Sequence, residues 1–196
     1  MKENIDYALG LVIGGNLRGL GIEKINGTEF LAGVEDIICG RTPRKDVSEA
    51  QREVAQYIQQ QEARRSEGMR AKGEKFLSDN AKRESVVTTA SGLQYEVIEQ
   101  GEGAQPTAAD TVRCHYEGRL TDGTVFDSSY RRGEPAEFPL NGVIAGWTEG
   151  LQLMKEGAKY RFYIPQQLGY GARGAGSSIP PYAALVFDVE LISIIK

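Results

Sequence analysis

The sequence predicts an α+β protein whose N-terminal half is all-helical and whose C-terminal half is an antiparallel sheet wrapped around one short helix. Three observations carry that prediction. Before Ala90 the apolar residues recur at helical spacing, and after it they alternate at period two between glycine-rich turns. A proline-free polar stretch from Asp46 to Glu84 separates the two patterns. The length, 196 residues with 40% hydrophobic and 26% charged, suits one ordinary domain plus a smaller helical part.

The helical half reads as two short helices and one long one. Tyr7, Leu11, Ile13, Leu17 and Leu20 form an apolar stripe that ends at Gly19 and Gly21. Phe30, Leu31, Val34, Ile37 and Ile38 form a second, stopped by Gly40 with Pro43 beyond. Helices this short are marginal alone in water, so both need a packing partner. A lone polar helix does not supply one, which predicts a second copy of the chain. Asp46 and Glu49 have the spacing of a capping box and start the third helix, predicted to run to about Glu84. Its middle, residues 59–75, is polar on nearly all sides, as in a solvated connector, and Gly68 and Gly73 are the expected bending points. The predicted organisation is helical domain 1–45, connecting helix 46–84 and sheet domain 85–196.

Strands are expected around Leu93–Val97, Val112–Tyr116, Phe162–Ile164 and Leu185–Leu191, and Asp122-Gly123 has the signature of a two-residue hairpin. One short helix is expected from Gly146 to Met154, with Trp147, Leu151 and Met154 on one face.

Composition excludes several function classes. The net charge is −4, with fourteen basic and fourteen acidic residues before Ala90, so the deficit lies wholly in the sheet half and no basic face is offered to nucleic acid. No stretch approaches the roughly 18 apolar residues needed to span a bilayer, so no membrane partner is expected. The start of the chain lacks the basic and apolar pattern of a secretory signal, which leads to a cytoplasmic expectation. The alternative is a periplasmic or outer-membrane-associated protein whose signal has been removed. Gly171, Gly174 and Gly176 lack the spacing of a phosphate loop. Cys114 and His115 are adjacent, so on a strand they face opposite ways and form no dyad. One His and two distant Cys assemble no metal set, and no cofactor is expected.

What remains is an aromatic and apolar set with one carboxylate: Phe126-Asp127, Val143-Ile144, Trp147, Tyr170, Ile179 and Phe187. A carboxylate among aromatics needs a cationic partner, and Arg131 or Arg132 is available.

These residues lie in motifs that resemble a known family. Val-Phe-Asp-Ser-Ser at 125–129, Gly-Val-Ile at 142–144, Gly-Trp at 146–147, Gly-Tyr-Gly at 169–171, Ile-Pro-Pro at 179–181 and Leu-Val-Phe-Asp-Val-Glu-Leu at 185–191 occur in the order seen in the FKBP-type peptidyl-prolyl cis–trans isomerases. Tyr-Ala-Leu-Gly at 7–10, the long charged helix and Gly-Glu-Pro-Ala-Glu-Phe-Pro at 133–139 are similar to the small two-domain members of the bacterial Mip-like branch. The resemblance implies a half-barrel sheet around one helix, homodimerisation through the N-terminal helices, and acceleration of X-Pro isomerisation during protein folding, with chaperone activity as a dimer. It implies catalytic roles for Asp127, Tyr170, Phe126 and Phe187, and substrate-binding roles for Tyr116, Phe138, Val143, Ile144, Trp147 and Ile179. Its partners would be proline-containing, unfolded or partly folded polypeptides, with macrolides as an inhibitor class. The alternative is a dimeric holdase whose pocket grips proline segments without significant catalysis.

Overall fold

The computed structural model describes residues 5–195, so residues 1–4 and 196 of the predicted outer domains lie outside the described residues. The chain divides into two compact units, up to Arg65 and from Ser66 onward.

The first unit holds α1 (Ile5–Gly19), α2 (Gly27–Ile38) and the start of α3 (Val47–Asn80). Asn26 caps α2, its side-chain oxygen accepting the N–H groups of Thr28 at 3.1 Å and Glu29 at 3.3 Å. Asp46 caps α3 in the same way, accepting from Ser48 at 2.9 Å and Glu49 at 3.1 Å. Neither α1 nor α2 contains a buried residue, and both leave their apolar stripes open to solvent.

The second unit begins inside α3. The helix stops at Asn80, four residues short of the predicted Glu84, and its end is tied down by side chains. Asn80 donates to Gln94 at 2.9 Å, and Gln94 donates to the Leu77 carbonyl, also at 2.9 Å. Arg83, just past the helix, donates to Tyr163 Oη at 2.8 Å and pairs with Glu96. Phe76 lies against Tyr163 with ring centroids 6.0 Å apart. The last turns of α3 therefore pack on the sheet, just beyond residues 59–75 expected to be solvated. Gly73, predicted as a bending point, sits instead inside unbroken helix and is buried.

The sheet comprises β1 (Val87–Thr88), β2 (Gln94–Glu99), β3 (Thr111–Leu120), β4 (Val125–Ser128), β5 (Ala136–Pro139), β6 (Lys159–Ile164) and β7 (Leu185–Ile195), with helices α4 (Ser129–Arg132) and α5 (Ala145–Leu151). The strand order is β1-β2-β6-β7-β3-β4, with β5 also on β3, and every pairing is antiparallel. Four residues, 121–124, separate β3 from β4 where the sequence predicted a two-residue hairpin. Leu120 N–H bonds Thr124 O at 2.9 Å, and Gly123 supplies the left-handed conformation (φ 90°) that closes the turn.

α5 sits directly on the sheet because two of its residues are bare. A Cβ on Gly146 would fall 2.6 Å from Ile164 Cγ2, and one on Gly150 would fall 2.6 Å from Phe162 Cε1. Between sheet and helix lies one core in which Leu93, Leu140, Leu151, Phe162 and Leu185 are fully buried. Each such side chain contributes about 1.5–3 kcal/mol of transfer free energy. Among the described residues no helix is long and apolar enough to cross a membrane.

Candidate active site

One end of that core is open, and a cavity of about 490 Å³ enters it between the sheet and α5. All of the pocket residues expected from the sequence line it. Tyr116 comes from β3, Phe126 and Asp127 from β4, and Phe138 from β5. Val143 and Ile144 precede α5, Trp147 stands in its first turn, Tyr170 and Ile179 belong to the β6–β7 connection, and Phe187 comes from β7. Gly142, Ala175 and Ser178 also line the cavity and were not anticipated, because small residues in connections carry no periodic or chemical signal.

The floor is aromatic. Trp147 is 4% exposed and meets Tyr116, Phe138 and Phe187 edge-on, with centroids 5.2, 5.4 and 5.3 Å away. Phe126 stands edge-on to Phe187 at 5.5 Å. The Trp147 indole N–H is buried and has no acceptor among the described residues. The glycine-rich connection bends tightly here. Ala175 and Ile179 bridge each other at 2.9 and 3.1 Å, and a Cβ on Gly174 would strike Ile179 O at 2.2 Å. Those glycines thus shape the turn that delivers Ile179 to the pocket.

The carboxylate has the cationic partner its setting requires, and it is Arg132. One Asp127 oxygen pairs with Arg132 Nη1, the other accepts from the Tyr116 hydroxyl at 2.5 Å, and Arg132 Nη2 donates to that same hydroxyl at 2.8 Å. Arg131 contributes its backbone N–H to Ser128 Oγ at 3.3 Å. Burial acts to raise the Asp127 pKa, but the Tyr116 hydrogen bond and the Arg132 guanidinium outweigh it and hold the carboxyl below its usual range. Burial raises the hydroxyls of Tyr116 and Tyr170, helped in both by the Asp127 charge. The pocket therefore holds a fixed carboxylate and neutral phenols at neutral pH, an arrangement suited to orienting dipoles and ill suited to shuttling protons.

The adjacent Cys114 and His115 do face opposite sides. Cys114 is in the core, where burial pushes its thiol up to about 12, and His115 stacks on Tyr130 with centroids 4.6 Å apart.

The chain matches two family models, the FKBP-type peptidyl-prolyl cis-trans isomerase over residues 102–192 and the domain amino terminal to FKBP-type peptidyl-prolyl isomerase over residues 2–97. It is 50% identical over 198 residues to the FKBP-type 22 kDa peptidyl-prolyl cis-trans isomerase of Escherichia coli, covering 100% of this chain and 96% of the relative. The crystal structure of FkpA from Escherichia coli superposes with a TM-score of 0.81 at 38% identity, covering 98% of this chain and 97% of that one. A relative from Legionella longbeachae, 39% identical over 100% of this chain and 86% of its own length, bears the name outer membrane protein MIP. That relative overturns the cytoplasmic expectation. The charge and hydropathy of a folded domain do not report its compartment, which a separate targeting segment sets.

Proposed function

The chain belongs to the FKBP-type peptidyl-prolyl cis–trans isomerase family, and from that premise we propose how its pocket performs the reaction and how its two parts share the work. Rotation about an X-Pro bond crosses a barrier of roughly 18–20 kcal/mol because the planar amide is resonance-stabilised. The twisted amide has less charge separation than the planar one, so an apolar, water-excluding pocket favours it. Trp147 forms the floor for the proline ring, and Phe126, Val143, Ile179 and Phe187 form the walls. Phe138 and Tyr116 close the side facing β5 and β3. The Ile144 N–H and the Tyr170 hydroxyl hold the carbonyls of the flanking residues. Asp127 faces the rotating amide as an oriented charge.

The observation that carries this assignment is the convergence of residues from β3, β4, β5, α5, β7 and two connections on one cavity with a single charge-paired carboxylate. Asp127→Ala and Phe126→Ala should each lower kcat/KM on a proline-containing peptide by about tenfold or more with the fold intact by circular dichroism. Wild-type turnover in both variants overturns the site assignment.

The domain division that accompanies this reading gives residues 1–45 to dimerisation, 46–84 to connection and 85–196 to catalysis, with the last turns of α3 packed into the catalytic part. Exposed apolar side chains on α1 and α2 favour a homodimer that also holds unfolded, proline-containing chains. A proline-limited refolding assay separates the activities. Acceleration with enzyme far below substrate is catalysis, and protection only at equal amounts is holding.

A further inference from the structure

The outer edge of β3 is shared by two strands that do not meet. β5 pairs with it from Thr111 to Cys114, and β4 pairs with Glu117 to Arg119. Tyr116 falls in the gap, so its backbone has no strand partner on that side among the described residues. A side chain takes the missing rung. Ser129, fully buried, accepts the Tyr116 N–H on its Oγ at 2.7 Å and donates to the Tyr116 carbonyl at 3.2 Å. The same Oγ lies 2.9 Å from His115 Nδ1. A serine hydroxyl donates once and accepts twice. With its proton on the carbonyl and one lone pair on the Tyr116 N–H, the remaining lone pair can accept from His115 only when the ring carries its proton on Nδ1.

The consequence reaches the pocket. The polar cluster there is assembled from two segments, Tyr116 on β3 and the pair Asp127 and Arg132 on the β4–α4 junction. Ser129 lies between Asp127 and Arg132 in sequence and bonds both backbone groups of Tyr116. We propose that Ser129 is a positioning residue for isomerisation, acting through Tyr116 by tying β3 to the β4–α4 junction so that the Tyr116 hydroxyl, Asp127 and Arg132 meet in one arrangement. The inference rests on the reading of this pocket as the catalytic site.

The test is a double-mutant cycle on a proline-containing peptide, with kcat and KM resolved for Ser129→Ala, Tyr116→Phe and the double variant, and with Ser129→Thr as the conservative replacement. Ser129→Ala should lower kcat by about fivefold to tenfold with little change in KM, add less than about twofold in the Tyr116→Phe background, and be largely restored by Ser129→Thr. Unchanged kcat in Ser129→Ala overturns the proposal, as does an equal loss in both backgrounds, which would mark a general loosening of the fold. A second readout needs no variant. His115 is the one histidine of the chain, so its 15N resonances are unambiguous. The wild-type protein should show Nδ1–H, and an Nε2–H tautomer in the folded state overturns the two-bond tie, because it draws the Ser129 proton from the Tyr116 carbonyl to His115. Wild-type turnover in both Asp127→Ala and Tyr116→Phe would instead bring down the pocket assignment, and the positioning role with it, while leaving the tautomer result standing.

Discussion

Gly118 shapes the pocket by having no side chain. It is registered with Phe187 on β7 and with Asp127 on β4, and a Cβ there would fall 2.6 Å from Phe187 Cε1 and 2.7 Å from Phe126 Cε2. The two rings occupy that space edge to face, an arrangement worth about 0.5–1.5 kcal/mol beyond area burial. Gly118→Ala should therefore displace one ring, lowering stability by about 1–3 kcal/mol through overpacking and reducing kcat/KM at the same time. Urea denaturation and a peptide assay check both effects, and wild-type values in both would mean that the wall tolerates the methyl. Phe126, Asp127 and Phe187 were legible in the sequence because aromatics beside a lone carboxylate stand out chemically. Gly118 was not, because a glycine inside a strand pattern reads as a weak point. Its role depends on two partners brought beside it only by the register of three strands. Ser129 was hidden for the same reason. It belongs to a quoted motif, but a motif does not reveal that a hydroxyl replaces a rung of the ladder.

At the level of the element, α3 shows how far periodicity can be pushed. Its start was legible because an Asp cap leaves a chemical mark, whereas its end is made by Asn80, Gln94, Arg83 and Glu96, which meet only after the sheet has formed. Gly68 and Gly73 look equivalent in the sequence, and the structure separates them. A Cβ on Gly68 meets nothing within 4 Å, while one on Gly73 approaches Ala184 Cβ to 3.1 Å and Ala184 N to 3.5 Å. Ala184 ends the connection that carries Ile179 into the pocket, so Gly73 lets the helix back that segment closely. Gly68→Ala should stabilise the protein by about 0.5–1 kcal/mol from helix propensity alone. Gly73→Ala carries the same propensity gain but must crowd Ala184, so it should stabilise less or destabilise. Thermal or urea unfolding of the two variants decides the matter. Equal stabilisation by both would mean that α3 does not rest on Ala184 in solution.

For the whole molecule, the contrast between the two units is one of completeness. The sheet unit closes its own core around Leu93, Leu151 and Phe162, and it contains every residue of the pocket. The helical unit does not close. Tyr7 is 64% exposed, Leu11 61%, Ile37 61% and Ile38 77%, and this density of bare apolar side chains exceeds what a soluble monomer ordinarily shows. Periodicity located these stripes in the sequence, but it does not say what covers them, since covering by another chain leaves no pattern within one. A second copy offers the same stripes and satisfies both at once, as a self-complementary two-fold contact does. Light scattering at micromolar concentration should thus give twice the 21.5 kDa of one chain. Leu11→Glu together with Ile37→Glu should halve that mass by placing carboxylates in the contact. Because the pocket lies wholly in the other unit, the monomeric variant should keep its kcat/KM on a short peptide. It should lose efficiency on an unfolded protein, where two linked pockets raise the effective concentration of the second binding event. A monomeric wild-type mass would contradict the dimer. A peptide activity lost together with the dimer would show that the pocket depends on the helical unit, which its own closed core argues against.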